Sequence, residues 1–250
     1  MVLGHIMFEE ERKAMAKLVH VIYTRKLTNT AGGNFSFKVK DDSGKEFIIM
    51  TPTMMSEAYL GEITPSQVLV VEPHTRKIVA GEGNLTREIN MHEAVYDTNP
   101  EINAVLHAHA PESMFWATSH LPMPNLTEAT QKVKDIPVLD FAPNCSEELA
   151  EDVTGYIKEN AKELPFELLL DSHGVLIATS AQDGISAIHK ALSILDTVET
   201  NARIAYQQTV MQALGVMDGY YSKGIKVGTL EDIKNNVGIF NQKVKDAGGD

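Results

Sequence analysis

Apolar residues recur along this chain at two spacings, and segments of the two kinds alternate. In residues 8–26, Met15, Leu18, Val19 and Ile22 fall one helical turn apart, which predicts an amphipathic helix. A turn of small and polar residues, Thr30-Ala31-Gly32-Gly33-Asn34, leads into residues 35–40, where apolar and polar side chains alternate as in a strand. A polar turn at 41–45 and a return strand at 46–50 make this a hairpin. Residues 51–65 read as irregular, with a proline near each end. Residues 68–72 and 77–79 form a second hairpin. Helical spacing over 87–98 stops at Asn99-Pro100. A compact apolar strand covers 103–109, and Pro111 opens the next helix, where its missing N–H costs nothing. A short strand at 137–140 follows. Ser146 caps a helix running to about residue 161. Residues 168–170 and 175–178 make a third hairpin, a long helix spans 181–214, and a terminal helix is expected over 230–245. So many hairpins argue for a mainly antiparallel or mixed sheet with helices on its faces, an α/β chain rather than a pure doubly wound one.

Composition narrows the function. The chain has 250 residues, 43% of them apolar, which supplies a large core in a single domain. We read a core over about 8–215 and an extension over about 216–250. The net charge of −12 disfavours a nucleic-acid or anionic-membrane surface, since both need clustered positive charge. A local basic pocket for phosphate or carboxylate stays compatible with it. One cysteine, Cys145, permits no internal disulfide and fits a reducing cytoplasm. No apolar run approaches the ~20 residues of a membrane helix. Residues 1–7 lack the charged start and apolar core of a secretion signal.

The densest chemistry lies in Val105-Leu106-His107-Ala108-His109. Side chains at i and i+2 of a strand share a face. Two neutral imidazoles side by side are a bidentate mount for a divalent transition metal, zinc first among them. His173, in Asp171-Ser172-His173-Gly174, follows a second apolar run, and Glu88 precedes the pair at a predicted helix start. Three histidines and a glutamate gathered from separate elements would form an open catalytic metal site. Taken singly, each has a plainer reading. A strand histidine can be a satisfied core residue, His173 a turn residue, and Glu88 a favourable charge at a helix N-terminus. His92 lies one turn beyond Glu88 and would share its helix face. His20, His74, His120 and His189 are isolated, and Cys145 has no obvious base partner.

Taken together, these residues resemble the class II aldolase/adducin family, and its fuculose-1-phosphate aldolase branch in particular. Gly32-Gly33-Asn34-Phe35-Ser36 matches the core of that family's glycine turn. Thr51-Pro52-Thr53 matches its Thr-Pro segment. Glu88, His107-Ala108-His109 and His173-Gly174 keep its order of acid, paired histidines and later His-Gly. The resemblance implies a three-layer α/β/α fold with a largely antiparallel central sheet. It implies a cyclic homotetramer with active sites between subunits. It also implies a lyase that cleaves or forms a C–C bond in a hydroxyketone through a metal-stabilised enediolate. His107, His109, His173 and Glu88 would hold Zn2+, or Mn2+, Co2+ or Fe2+, with Glu88 doubling as the catalytic base or acid. Gly33, Asn34, Thr51, Thr86 and Arg87 would hold the anionic end of a sugar phosphate or keto acid.

Three departures from the family pattern bear on the substrate. Met54 stands where a glycine usually follows the Thr-Pro segment, and Thr86-Arg87 replaces a Ser-Ser pair. The family's tyrosine acid has no counterpart in residues 121–130, where Thr127 or Glu128 could stand in. Sugar-phosphate epimerase, dehydratase or decarboxylase chemistry on the same scaffold is the alternative. A non-enzymatic, adducin-like assembly role is the lesser one, because the metal histidines are kept.

Overall fold

A computed structural model describes residues 7–133, 136–160 and 163–215. Five helices are described: α1 (Glu9–Thr24), α2 (Ile89–Thr98), α3 (Pro111–Ser119), α4 (Glu147–Asn160) and α5 (Gly184–Ala213). The strands are β1 (Asn34–Lys40), β2 (Glu46–Met50), β3 (Leu69–Val71), β4 (Ile78–Ala80), β5 (Ala104–Ala108), β6 (Val138–Leu139), β7 (Phe166–Leu170) and β8 (Gly174–Thr179). They form one sheet in the order β4-β3-β2-β1-β5-β8-β7-β6. Every adjacent pair is antiparallel except β6 and β7. The three expected hairpins are present. The short stretch at 137–140 became the one parallel partner, and the irregular stretch after α3 contains a 3-10 segment, Glu128–Val133, that the apolar pattern did not reveal. The helix expected over 230–245 lies outside the described residues.

The sheet is covered on both faces, because its strands alternate their apolar side chains. Phe35, Phe37, Leu106 and Ile177 point to one side and pack with Met15 and Leu18 of α1, Trp116 of α3, and Ile188 and Leu195 of α5. Ile48, Met50, Val105 and Leu176 point to the other and pack with Met91 and Val95 of α2 and Leu149 and Val153 of α4. The result is a three-layer α/β/α arrangement. Local chemistry fixes the ends of the long helices. The Asp183 side chain accepts the Ser186 N–H at 2.7 Å to start α5, and Ser146 Oγ accepts the Leu149 N–H at 3.0 Å to start α4.

Central placement of β1, β5 and β8 positions the site. Asn34 opposes His107 across the β1–β5 ladder, and His107 opposes Leu176 across β5–β8. The turn between β7 and β8 carries His173 beside them. Three distant parts of the chain thus meet at one end of three neighbouring strands.

Candidate active site

The three histidines converge. One ring nitrogen from each of His107, His109 and His173 lies within 4.8 Å of the others. Ring centroids are 5.1 Å apart for His107–His109, 4.6 Å for His107–His173 and 5.3 Å for His109–His173. β5 ends at Ala108, so His109 stands just past the strand, and its ring still meets that of His107. Thr28 ties this exit to the glycine turn: its Oγ1 accepts the His109 N–H at 3.1 Å and donates to the Gly32 carbonyl at 2.9 Å.

Glu88 completes the cluster. Its Oε1 is 3.2 Å from His173 Nε2, and its Oε2 is 3.7 Å from His107 Nε2. As the residue preceding α2 it makes no side-chain cap on that helix. The plain helix-start reading is therefore not what this side chain does; it turns toward the imidazoles instead.

Burial sets the protonation states. Removal from water pushes His107 down to about 3 and His109 down to about 4, so both are neutral near pH 7. Burial alone would raise the Glu88 carboxyl. Charge interaction with His107 and hydrogen bonds from His173 and Asn34 outweigh it and hold Glu88 well below the usual carboxylate range. Above pH 3 or so His107 carries no charge. At neutral pH the hydrogen bonds from His173 and Asn34 are what keep Glu88 ionised.

The donor set fits a divalent cation. His107 donates Nδ1–H to the Val175 carbonyl at 2.9 Å, which leaves the Nε2 lone pair facing the cluster. Among the described residues, His107 Nε2 and His173 Nδ1 are buried with no hydrogen-bond partner. Such orphaned nitrogens are costly in a folded protein unless something meets them. Three imidazoles and one carboxylate are suitable ligands for zinc and its neighbours.

The cluster opens into a cavity of about 150 Å³. Gly33, Asn34, Thr86, Arg87, Glu88, His109 and His173 line it, as the sequence suggested, while His107 sits behind them, fully buried. Thr51 does not line it. Thr51 is buried, and its hydroxyl accepts the Phe35 N–H at 3.1 Å, so it secures the start of β1 rather than facing a ligand. Met54 does line the cavity. Thr127 and Glu128 do not, and Thr127 is instead bonded to Thr130 at 2.8 Å. Sequence reasoning missed Asn144 and Cys145, which reach the cavity from the loop before α4. Thr86, Arg87 and Cys145 also border a wider groove between α2 and α4. Nothing in the spacing of Cys145 signalled this, because only the fold brings that loop beside Glu88.

Residues 13–206 match the model of the class II aldolase and adducin N-terminal domain. The chain belongs to the class II aldolase and adducin family. Among its relatives is an L-fuculose phosphate aldolase of Methanococcus vannielii, 31% identical over 165 residues, covering 66% of this chain and 81% of the relative. Another is a 5-deoxy-D-ribulose 1-phosphate aldolase of Bacillus thuringiensis serovar kurstaki, 23% identical over 207 residues, covering 81% and 87%. The solved L-fuculose-1-phosphate aldolase of Thermus thermophilus superposes with a TM-score of 0.64 at 24% identity, over 81% of this chain and 97% of that one. This class II aldolase-family chain thus shares its fold with proteins of that kind, and its own histidine cluster is a possible metal site.

Proposed function

We propose that the protein is a metal-dependent aldolase that cleaves or forms a C–C bond in a hydroxyketone with an anionic end, a ketose 1-phosphate being the first candidate. The observation that carries this reading is the convergence of three imidazoles and Glu88 around unpartnered buried nitrogens at the base of a cavity. His107, His109, His173 and the resting Glu88 would hold Zn2+ or a neighbouring transition ion. Such an ion supplies a Lewis acid for the ketone oxygen and its neighbouring hydroxyl.

The chain's own groups do the rest. The N–H groups of the Gly32-Gly33 turn, the second amide hydrogen of Asn34, the Thr86 hydroxyl and the Arg87 guanidinium surround the space for the anion. Arg87 is exposed at the mouth, where it can meet phosphate or carboxylate with two parallel hydrogen bonds. In the cleavage direction the electron pair of the broken C–C bond passes to the ketone oxygen. Glu88, ionised at rest, takes up a proton from solvent as the substrate binds, and its Oε1, on the side facing His173, gives that proton to the carbon left behind. The group that takes the hydroxyl proton of the leaving aldehyde belongs, in this reading, to a neighbouring subunit of a homotetramer. Epimerase, dehydratase or decarboxylase chemistry draws support from one observation: among the described residues no tyrosine lines the cavity.

Metal analysis together with aldehyde release from L-fuculose 1-phosphate and 5-deoxy-D-ribulose 1-phosphate tests the proposal. His107→Ala should lose metal and activity together. Glu88→Gln should keep most of the metal and lose roughly 10²-fold in rate. Unchanged metal content in His107→Ala would remove the basis of the proposal, and ketose consumption without aldehyde would move it to the alternative chemistry.

A further inference from the structure

Glu88 stands at the end of a buried chain of hydrogen bonds that runs away from the cavity. Asn34 Nδ2 donates to Glu88 Oε2 at 2.5 Å. Asn34 Oδ1 meets His92 Nε2 at 2.6 Å. His92 Nδ1 meets Ser36 Oγ at 2.7 Å, and Ser36 Oγ meets Tyr96 OH at 2.7 Å. His92 and Ser36 are wholly inaccessible to solvent, and Asn34 and Tyr96 nearly so. The bonds at His92 and Ser36 cannot be exchanged for bonds to bulk water, so each must be made correctly.

The polarity of the chain can be worked out from the Glu88 end. An ionised Glu88 can only accept, so Asn34 must present its NH2 there and its carbonyl to His92. His92 must then carry its proton on Nε2, leaving Nδ1 to accept from Ser36. Ser36 has one hydroxyl hydrogen and gives it to His92 Nδ1, so Ser36 Oγ can only accept from Tyr96 OH. The bonds therefore run in one direction: Tyr96 to Ser36 to His92 to Asn34 to Glu88.

We propose that His92 is a positioning residue for Glu88, acting through Asn34. The one-way chain pins Oε2 of the carboxylate and leaves Oε1 turned to His173 and the cavity. The reason for a histidine here is geometric. A single rigid ring accepts on one side and donates on the other, and so fixes which way the Asn34 amide lies. A reversed amide would place its carbonyl against the Glu88 carboxylate, acceptor against acceptor. The sequence showed only that His92 lies one helical turn from Glu88. The link between them comes from β1, far away in the chain.

This inference rests on the reading of Glu88 as the group beside the ion, and two measurements separate the failure of one from the failure of the other. The first is the tautomer of His92 in the 15N-histidine-labelled, metal-free protein by long-range 1H–15N NMR. We expect Nε2–H with a bare Nδ1, and a proton on Nδ1 overturns the proposal whatever the metal does. The second is the visible spectrum of the cobalt(II)-loaded protein. Glu88→Gln and His92→Leu should alter the d–d bands in the same way. His92→Gln, whose side chain can still donate to Asn34, should restore the wild-type spectrum at least in large part. A wild-type spectrum in His92→Leu beside an altered one in Glu88→Gln refutes positioning by His92. An unaltered spectrum in Glu88→Gln, or no cobalt binding at all, refutes instead the placing of Glu88 at an ion and leaves the tautomer to decide the chain. Should His92→Leu fail to fold, the wild-type tautomer and the His92→Gln spectrum still decide, an altered spectrum counting against the proposal.

Discussion

Gly32→Ala should cost the protein its metal without touching a ligand. A Cβ at residue 32 would stand 2.9 Å from His109 Nε2 and 3.0 Å from Nδ1, and nearer still to Cε1. Ordinary contacts of this type lie near 3.5–4.0 Å, so the ring has to retreat by about 1 Å. A zinc–nitrogen bond of about 2.0–2.1 Å tolerates errors of only about 0.2 Å. His109 also has little freedom to retreat in place, because the His107 and His173 rings lie against it. The imidazole swings out and the site is left with two. We expect metal affinity to fall at least as far as for a lost outer-sphere contact, about 10–100-fold, or about 1.4–2.7 kcal/mol. Folding of the metal-free protein should change by less than about 1 kcal/mol, since the alanine also restricts the unfolded chain. Gly33→Ala is the contrast. Residue 33 has φ +107°, which disfavours any side chain, and its Cβ would stand 3.0 Å from Thr28 Oγ1, so the loss there is in folding stability. Competition titration with a zinc chelator and thermal melts of both metal-free variants separate the two. A Gly32→Ala zinc affinity within twofold of wild type would show that the turn does not hold His109 against the ion.

Arg87→Ala should raise KM for a phosphorylated hydroxyketone more than for its neutral analogue, and an equal rise for both would take Arg87 off the anion. The metal-free protein should lose stability as pH falls from about 6.5 toward 3. His92 and His107 sit at about 3 and His109 at about 4, so in this window the unfolded chain binds protons that the folded chain refuses, at up to about 1.4 kcal/mol per pH unit for each such histidine; a flat stability profile from pH 6.5 to 4.5 would contradict their neutrality. Glu167→Leu should stabilise the protein near pH 8 by about 1–3 kcal/mol. Among the described residues both oxygens of this fully buried carboxyl lack a partner, and its range is raised by burial and by Glu199, so the wild type loses stability as pH rises past the usual carboxylate range; a less stable variant in denaturant titration would contradict the buried, unpartnered carboxyl.

How far the sequence could be read follows from the range of the forces involved. Strand and helix positions were legible because alternation and helical spacing are local, and β1, β5 and β8 came out close to their final bounds. The pairing of β6 with β7 was not, since two residues hold too little pattern to give a direction. His107 and His109 were legible because i, i+2 spacing fixes a shared face. His173 and Glu88 came from order along the chain, and only folding could show that Glu88 leaves its helix end to meet them. Thr51 illustrates the opposite error. A motif names a hydroxyl but not its direction, and the nearest unpaired N–H, that of Phe35, claimed it. Asn144 and Cys145 carried no pattern at all, because their proximity to Glu88 comes from where α4 docks against α2.

The electrostatics of the cluster argue for what it holds. Three imidazoles near one another would, in water, share protons at neutral pH only in part, and here burial removes them from His107 and His109. One ionised carboxylate stays beside them. A water molecule can bond to His107 Nε2, unpartnered among the described residues, but brings no charge to meet the carboxylate. A divalent cation answers both demands at once, accepting the ring lone pairs and offsetting the carboxylate. The same accounting explains why Asn34 turns its amide hydrogens, not its carbonyl, toward Glu88: the cluster already has its full complement of acceptors, and every further group that touches it must donate.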